Sequence, residues 1–259
     1  MLLKEYRVVM NCTEEEYQVA QLYAVAEQSK EETGDGDGVE VRKNEPYENE
    51  FGKGQYTYKV YHLTNKVPGW VRSFAPKGSL ELYEEAWNGY PYCKTGNNGY
   101  MKENFELTIE TMHVGNSRGE IDNALKLSEE ELKMREVTII DIANDKVDKK
   151  DYRADEDPSL YTSEKTGRGP LKGDWIPTVE PVMTCYKVVR IKFVWRLLQN
   201  KVEAFIASTV RSLFTNFSRK LFCWTDKWYG MTMEDIRALE EKTKHELDEK
   251  RKQNAEKAS

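Results

Sequence analysis

The sequence predicts an α+β protein in which a curved antiparallel sheet holds a long helix. At least six segments have the alternation or the β-branched and aromatic content of strands, one helix is predicted near the N-terminus, and two more at the C-terminal end. With 259 residues, 39% hydrophobic and 32% charged, the chain can bury a sizeable core. Because neither an internal repeat nor a linker is visible, residues 1–259 are predicted to form a single domain.

Charge and cysteine content argue against several classes of protein. A net charge of -6 and a pI of 5.4 disfavour nucleic acid as a partner and lasting attachment to an anionic membrane. No run approaches the roughly 20 apolar residues of a membrane span, and the charged N-terminus is unlike a secretory signal, so a cytoplasmic location is expected. The 4 cysteines are widely spaced and only 3 histidines accompany them, so neither a disulfide framework nor a metal site is expected.

The first elements are a strand and a helix. A strand is predicted at Leu3–Met10, and Thr13 with Glu16 forms a capping-box pattern that starts a helix running to about Ser29. Gln21 lies on the apolar face of that helix, where on its own it is interpreted as a rim glutamine. The following G-D-G-D-G run is interpreted as a tight turn, because it lacks the ligands of a calcium loop.

Two strands are predicted next, at Val39–Lys43 and Gln55–His62. The second alternates, so Thr57 and Lys59 share one face. If that face is solvated, they are ordinary surface residues; if it lines a cavity, Lys59 needs an anion.

A short surface helix is predicted at Trp70–Phe74, where the tryptophan either meets lipid or packs under a loop. In the segment Leu80–Thr95, Gly89 and Pro91 interrupt the alternation. This interruption predicts a bulge or an edge position.

Three later strands are predicted at Phe105–His113, Val137–Ala143 and Met183–Trp195. The first places Thr111 on an apolar face, and the last places Lys187 in an apolar row. A lysine in such a row must reach solvent along its stem or meet a buried anion, because an unpaired buried ammonium is costly.

Two connections in this part of the chain are polar. The acidic stretch Asp145–Pro158 is predicted to be an exposed loop. The S-E-K-T-G-R-G-P run that begins at Ser163 is interpreted as a connector, although Ser163 and Thr166 lie beside basic residues and are candidate phosphorylation sites.

The C-terminal part of the chain is predicted to be helical. Val202–Trp228 carries one broad apolar stripe, and a helix of this length is roughly 40 Å long, so it forms core or walls a long apolar cavity. Thr232 caps a final helix whose apolar stripe is interrupted by Glu240. That carboxylate is either a helix-edge group or, if it faces the same interior as Lys59, a ligand group.

The stretch G-Q-Y-T-Y-K-V-Y-H resembles the signature strand of the phosphatidylinositol transfer protein family. The resemblance continues in order over almost the whole chain, through K-E-Y-R-V, N-E-P-Y, A-W-N-G-Y-P-Y-C, D-E-D-P, K-T-G-R-G-P-L, L-F-T-N-F, L-F-C-W and M-E-D-I-R-A-L-E. It implies a helix-grip (START-like) fold, with a curved sheet around a lipid cavity and residues 232–259 forming a lid helix and charged tail. The motifs mix two classes of the family, and the short, soluble class I type is expected because the sequence ends soon after the lid.

The resemblance also implies the residues that contact lipid. The inositol-ring contacts would be Thr57, Lys59, Asn88 and Glu240, and the phosphate contacts Gln21, Thr95, Thr111 and Lys187. Hydroxyl, amide and ammonium donors suit a phosphodiester, which only accepts hydrogen bonds, whereas ring hydroxyls also suit a carboxylate. Cys93 would lie near the lipid, and Ser163 would belong to a regulatory loop.

Membrane contact is expected at Trp195, Trp70 and Phe74. Since Arg196 stands where the family usually has a second tryptophan, docking is expected to be weaker or to depend more on Trp70 and Phe74.

The function implied is that of a carrier without a cofactor, whose cargo is one phospholipid. It would exchange phosphatidylinositol and phosphatidylcholine between membranes as a monomer, visiting organelle membranes transiently, and would supply phosphatidylinositol to lipid kinases for phosphoinositide synthesis. The alternative is a lipid sensor or scaffold without net transfer. A lipid hydrolase is disfavoured, because the sequence contains no H-E-x-x-H and only 3 scattered histidines that could serve as a base.

Overall fold

The computed structural model describes residues 1–31, 38–49, 52–63, 69–72, 80–99, 104–194 and 198–258. The strands are β1 Leu2–Met10, β2 Gly38–Asn49, β3 Gly52–His62, β4 Glu81–Gly89, β5 Tyr92–Gly99, β6 Phe105–Gly115, β7 Glu136–Ile140 and β8 Met183–Phe193. The helices are α1 Glu14–Glu31, α2 Gly69–Arg72, α3 Glu129–Met134, α4 Gln199–Cys223, α5 Thr225–Trp228 and α6 Met233–Ala258.

The described strands form one eight-stranded sheet in the order β2-β3-β4-β5-β6-β8-β1-β7. Neighbouring strands are antiparallel throughout, except that β1 and β7 run parallel. With long helices beside a mostly antiparallel sheet, the predicted α+β class is confirmed. Among the described helices, none combines the length and hydrophobicity that a membrane span requires.

Helices α1 and α4 cover one face of the sheet. From β1, the Tyr6 hydroxyl donates to the carbonyl of Ala207 in α4 at 3.1 Å, and its ring meets Phe214 edge-on with centroids 5.6 Å apart. From α1, the ring of Tyr17 lies 5.1 Å from that of His113 in β6. The main hydrophobic core lies in this layer between sheet and helices. We call this side of the sheet the covered face.

Both predicted helix caps are confirmed. At the start of α1, the Glu16 amide donates to Thr13 Oγ1 at 3.2 Å, and the Thr13 amide donates to the Glu16 carboxylate at 2.9 Å. At the start of α6, Thr232 and Asp235 make the same exchange at 2.7 and 3.2 Å. Each pair satisfies two amides that a helix start leaves without a helical partner.

Two predicted elements differ from the structure. Gly89 and Pro91 mark neither a bulge nor an edge, because Tyr90 and Pro91 form the two-residue turn between β4 and β5 inside the sheet. The predicted helix Val202–Trp228 is interrupted after Cys223, and its apolar residues do not all face inward, since Leu213 is 50% exposed.

The interruption has a local cause. Trp224 leaves helical geometry, and the carbonyls released at the end of α4 are satisfied by two side chains that follow. The Thr225 hydroxyl donates to the Phe222 carbonyl at 2.6 Å, and the Trp228 indole donates to the Leu221 carbonyl at 2.8 Å.

The acidic connection at 145–158 is exposed only in its first part. Glu156 and Asp157 are buried against α4, where Lys220 lies 3.5 Å from the first carboxylate and Arg219 lies 3.3 Å from the second. The prediction of an exposed loop is therefore wrong for this end, because basic residues distant in sequence pair with it. Of the G-D-G-D-G run interpreted as a tight turn, residues 34–37 lie outside the described residues.

Candidate ligand-binding face

Strand register places six of the predicted ligand residues on the covered face. Directly paired residues of antiparallel strands point their side chains to the same side of a sheet. One transverse row, which we call the Lys187 row, consists in strand order of Gln55, Asn88, Cys93, Thr111, Lys187 and Tyr6. Since strands are about 4.8 Å apart, Asn88 and Lys187 lie about 14 Å apart along this row.

The adjacent rows carry the other strand residues that were predicted. The Thr57 row lies two residues away from the Lys187 row on each strand. It consists of Asn44, Thr57, Ala86, Thr95, Ile109 and Val189. The next row begins with Lys59 and Glu84 and continues to the buried Leu107 and Ile191. The face is therefore polar at β3–β5 and mostly apolar from β6 to β8.

Lys187 lies partly buried between the sheet and α4. Its Nζ donates to Thr111 Oγ1 at 3.4 Å and lies 5.0 Å from the ring centroid of Phe214. No carboxylate of the described residues forms an ion pair with it. A hydroxyl and an aromatic face only partly compensate a desolvated ammonium, so this position favours an anion.

Gln21 projects from α1 toward the same layer. It follows the buried Tyr17 by four residues and precedes the buried Ala24 by three, which places the three side chains on one helix face. Its side chain is half-buried. The residues predicted to contact phosphate therefore lie on strands β5, β6 and β8 and on the helix α1 that packs against the sheet.

Two titratable groups beside Lys187 are uncharged at neutral pH. Burial raises the pKa of Cys93 to about 11, although the Lys187 ammonium opposes this rise. Burial and the same ammonium lower the pKa of His113 to about 3. His113 Nδ1 lies 2.8 Å from the Pro91 carbonyl and so carries the proton, while Nε2 has no hydrogen-bond partner among the described residues. The sequence placed His113 on the apolar face of its strand without identifying this free acceptor.

The Lys59 side chain meets a residue that the sequence analysis missed. Its Nζ lies 4.0 Å from Glu84 Oε1 on the neighbouring strand, and that oxygen also accepts from the Tyr61 hydroxyl at 3.1 Å. Glu84 can be found only from the β3–β4 register, which no pattern within one strand contains.

Glu240 lies over the β2 side of the sheet. Its Oε2 accepts from Arg237 at 2.6 Å and from Asn44 Nδ2 at 3.5 Å, and Asn44 is the cross-strand partner of Thr57. Glu240 thus lies on the side of the ring residues. It is not brought into an ion pair with Lys59, because each has another partner.

Gly54 in β3 allows the backbone of β4 to approach closely at Asn88, and this contact positions Asn88. A Cβ built at Gly54 would lie 2.1 Å from the Asn88 carbonyl oxygen, a distance no side chain tolerates. The first letter of the signature strand therefore has a steric role beside the predicted ring contact.

The remaining predicted residues are placed as follows. Trp70 lies in α2, whereas Phe74 and Trp195 lie outside the described residues. Ser163 is 1% exposed; its hydroxyl donates to Asp226 at 2.6 Å and accepts from the half-buried Thr166 at 2.8 Å. Phosphorylation of Ser163 would require this loop to open.

Comparison with known proteins supplies the family. A family model described as "Phosphatidylinositol transfer protein" matches residues 1–245. The chain is 52% identical to the human phosphatidylinositol transfer protein beta isoform over 262 residues, covering 98% of this chain and 96% of that protein. It is 51% identical to phosphatidylinositol transfer protein 2 of Dictyostelium discoideum over 257 residues, covering 98% of both chains.

Replacing Gly54 with alanine is expected to disturb the Asn88 end of the Lys187 row. The added Cβ forces β3 and β4 apart, and such overpacking should cost about 1–3 kcal/mol of unfolding free energy. Gly96→Ala is the matched control, because a Cβ at that position in β5 meets nothing within 4 Å. Denaturant unfolding of both variants measures the difference, and equal losses would contradict this steric role.

Alkylation of Cys93 is expected to be slow and strongly dependent on pH. The thiolate is the nucleophile, so with a pKa of about 11 its fraction at pH 8 is about 0.001, against roughly a quarter for an unperturbed thiol. Because the protonated form dominates below the pKa, the rate should rise about tenfold per pH unit from pH 7 to 10. Mass spectrometry of the iodoacetamide-treated protein measures this rate, and a plateau below pH 9 would contradict the assignment.

Proposed function

The chain belongs to the phosphatidylinositol transfer protein family, and from this we propose that it carries one phospholipid at a time between membranes. The observation that supports this most directly is Lys187, a partly buried cation without an ion-pair partner among the described residues, beneath α4 on a face lined with hydrogen-bonding groups. The bound phospholipid is cargo, and no catalytic step is proposed.

A carrier must enclose both acyl chains of its lipid. Two chains carry about 30 methylenes, and exposing each to water costs about 0.8 kcal/mol, which prevents free diffusion. The apolar side chains of the covered face and of α4 supply the enclosure in this proposal; they include Leu107, Ile109, Val189, Ile191, Phe214 and Phe217. The sheet then grips α4 in the helix-grip arrangement, with the head group held among the polar rows.

The lipid phosphate is proposed to bind beside Lys187. Thr111 already lies within hydrogen-bond distance of its ammonium, Thr95 lies in the adjacent row, and Gln21 projects from α1. A phosphodiester offers only acceptors and one negative charge, which these donors match. Phosphatidylinositol and phosphatidylcholine share this group, so both lipids would use this set.

The inositol ring is proposed to bind between β3 and α6. Thr57, Lys59 and Asn88 lie on the covered face, and Glu240 reaches the β2 side through Asn44. Ring hydroxyls both donate and accept, so they can take the place of the contacts that Lys59 makes with Glu84 and Glu240 makes with Arg237. Choline offers no such hydroxyls, and phosphatidylcholine would leave this set unused.

Exchange is proposed to occur at a membrane surface, where α6 opens as a lid. Trp70, Phe74 and Trp195 would contact the bilayer briefly, since the net charge of -6 opposes lasting attachment to anionic lipid. The protein would act as a cytoplasmic monomer that delivers phosphatidylinositol to lipid kinases.

Two substitutions separate the ring from the phosphate. Lys59→Ala and Glu240→Ala should each lower phosphatidylinositol transfer by at least about tenfold, because a hydrogen bond to a charged group contributes roughly 1.5–3 kcal/mol. Phosphatidylcholine transfer should stay within about twofold, because the choline lipid makes neither contact. The measurement is the transfer of each labelled lipid between vesicles.

Lys43→Ala and Glu241→Ala are the matched controls, because both side chains are exposed. Lys43 pairs across the strands with Tyr58, the residue before Lys59, and Glu241 follows Glu240. Equal loss of both lipids in the Lys59 and Glu240 variants would refute the ring assignment. Lipid binding without transfer above the spontaneous rate would instead identify the wild-type protein as a sensor. Release of inositol phosphate would identify it as an enzyme.

A further inference from the structure

The segment Ser163–Gly169 has a defined backbone. The Ser163 amide donates to the Arg168 carbonyl at 2.9 Å, and the Gly167 amide donates to the Ser163 carbonyl at 2.9 Å. Gly169 has a φ of +91, and a Cβ there would lie 2.3 Å from the Tyr161 carbonyl oxygen. Arg168 is therefore presented from a closed loop in one orientation.

Asp226 attaches this loop to α5. Its carboxylate accepts from the Ser163 and Tyr161 hydroxyls at 2.6 and 3.0 Å, and from the amides of Glu164 and Lys165 at 2.9 Å each. Although partial burial raises the pKa of Asp226, these hydrogen bonds outweigh it and lower the pKa to about 2. The carboxylate is thus ionised, and the anchor present, at any pH well above 2.

Arg168 connects the anchored loop to the first turn of α1. Its Nη1 and Nη2 donate to Glu16 Oε2 and Oε1 at 2.8 and 2.9 Å, a bidentate pair whose side chains are 13% and 20% exposed. The same carboxylate accepts from the Thr13 amide in the capping box. One group therefore both caps α1 and fixes it to the loop.

The guanidinium also lies near the start of α6. It is 5.9 Å from the ring centroid of Tyr229, and Lys165 Nζ donates to the Tyr229 carbonyl at 3.5 Å. Tyr229 follows α5 and precedes the Thr232 cap of α6 by three residues. Arg168 therefore touches the two segments from which the helices bearing Gln21 and Glu240 begin.

We propose that Arg168 is a positioning residue for the phosphate subsite, acting through α1. Gln21 follows Glu16 by five residues, about 7.5 Å along the helix axis at 1.5 Å per residue. Fixing the first turn therefore fixes the height and rotation at which Gln21 meets the lipid phosphate. This inference rests on the proposed function, because it assigns Gln21 to a phosphate that both lipids share.

Three variants test the bridge. Arg168→Ala removes it, and Glu16→Gln removes its charge but keeps a residue that completes a capping box. Arg168→Lys keeps the charge but cannot bind both carboxylate oxygens in the same plane. Arg153→Ala is the matched control, because Arg153 is 62% exposed and forms its ion pairs with Asp155 and Glu156 of its own segment.

The measurements are hydrogen exchange of the α1 amides and the loading of phosphatidylinositol and phosphatidylcholine at limiting lipid, read by native mass spectrometry. Arg168→Ala and Glu16→Gln should each speed exchange in α1 by about tenfold and lower the loading of both lipids about equally, with Arg168→Lys between them and the wild type. A variant that combines Arg168→Ala with Glu16→Gln should lose no more loading than whichever single variant loses more. The two changes remove the same interaction, so their effects should not add.

Faster exchange with unchanged loading would overturn the proposal, since Arg168 would then only stabilise the helix. Loss confined to phosphatidylinositol would overturn it too, by placing the effect at α6 instead of at Gln21. If the wild-type protein loads neither lipid, the proposed function fails, while the exchange of α1 still reports whether the bridge exists.

Discussion

The candidate site depends on how the ammonium of Lys187, partly buried between the sheet and α4, is stabilised. Lys187 has Thr111 and the Phe214 ring as neighbours and no ion-pair partner among the described residues. Desolvating an ammonium in this way is unfavourable unless an anion completes its surroundings. The polar rows lie beside it, and Nε2 of the neutral His113 has no hydrogen-bond partner among the described residues. In the proposed complex, the lipid phosphate would supply an anion beside Lys187, and an inositol ring would add hydroxyls.

Strand register converts scattered residues into one surface. Asn88, Thr111 and Lys187 are separated by up to 99 positions in sequence, yet they lie in one transverse row because each pairs directly across its neighbours. A slip of one residue in any of these strands would turn its polar side chains to the opposite face. The close approach at Gly54 and the two-residue turn before β5 hold the polar end of this row in place.

Features that depend on neighbouring residues could be predicted from the sequence, and features that depend on distant partners could not. The Thr13 and Thr232 caps were predictable because a capping box is complete within four residues. The shared face of Thr57 and Lys59 followed from a period of two. Glu84 and Asn44 were missed, because only register places them beside Lys59 and Glu240. The polar run at Ser163 predicts a connector with a candidate phosphorylation site and no anchor, because its anchor, Asp226, is 63 positions away.

The most direct test of the account is mass spectrometry of the lipid extracted from purified protein after incubation with liposomes that contain equal amounts of several phospholipid classes. We expect one equivalent of lipid per chain, consisting of phosphatidylinositol and phosphatidylcholine. An empty protein, or one that holds lipids lacking a phosphate, would contradict the claim that Lys187 and its row bind a phospholipid head group.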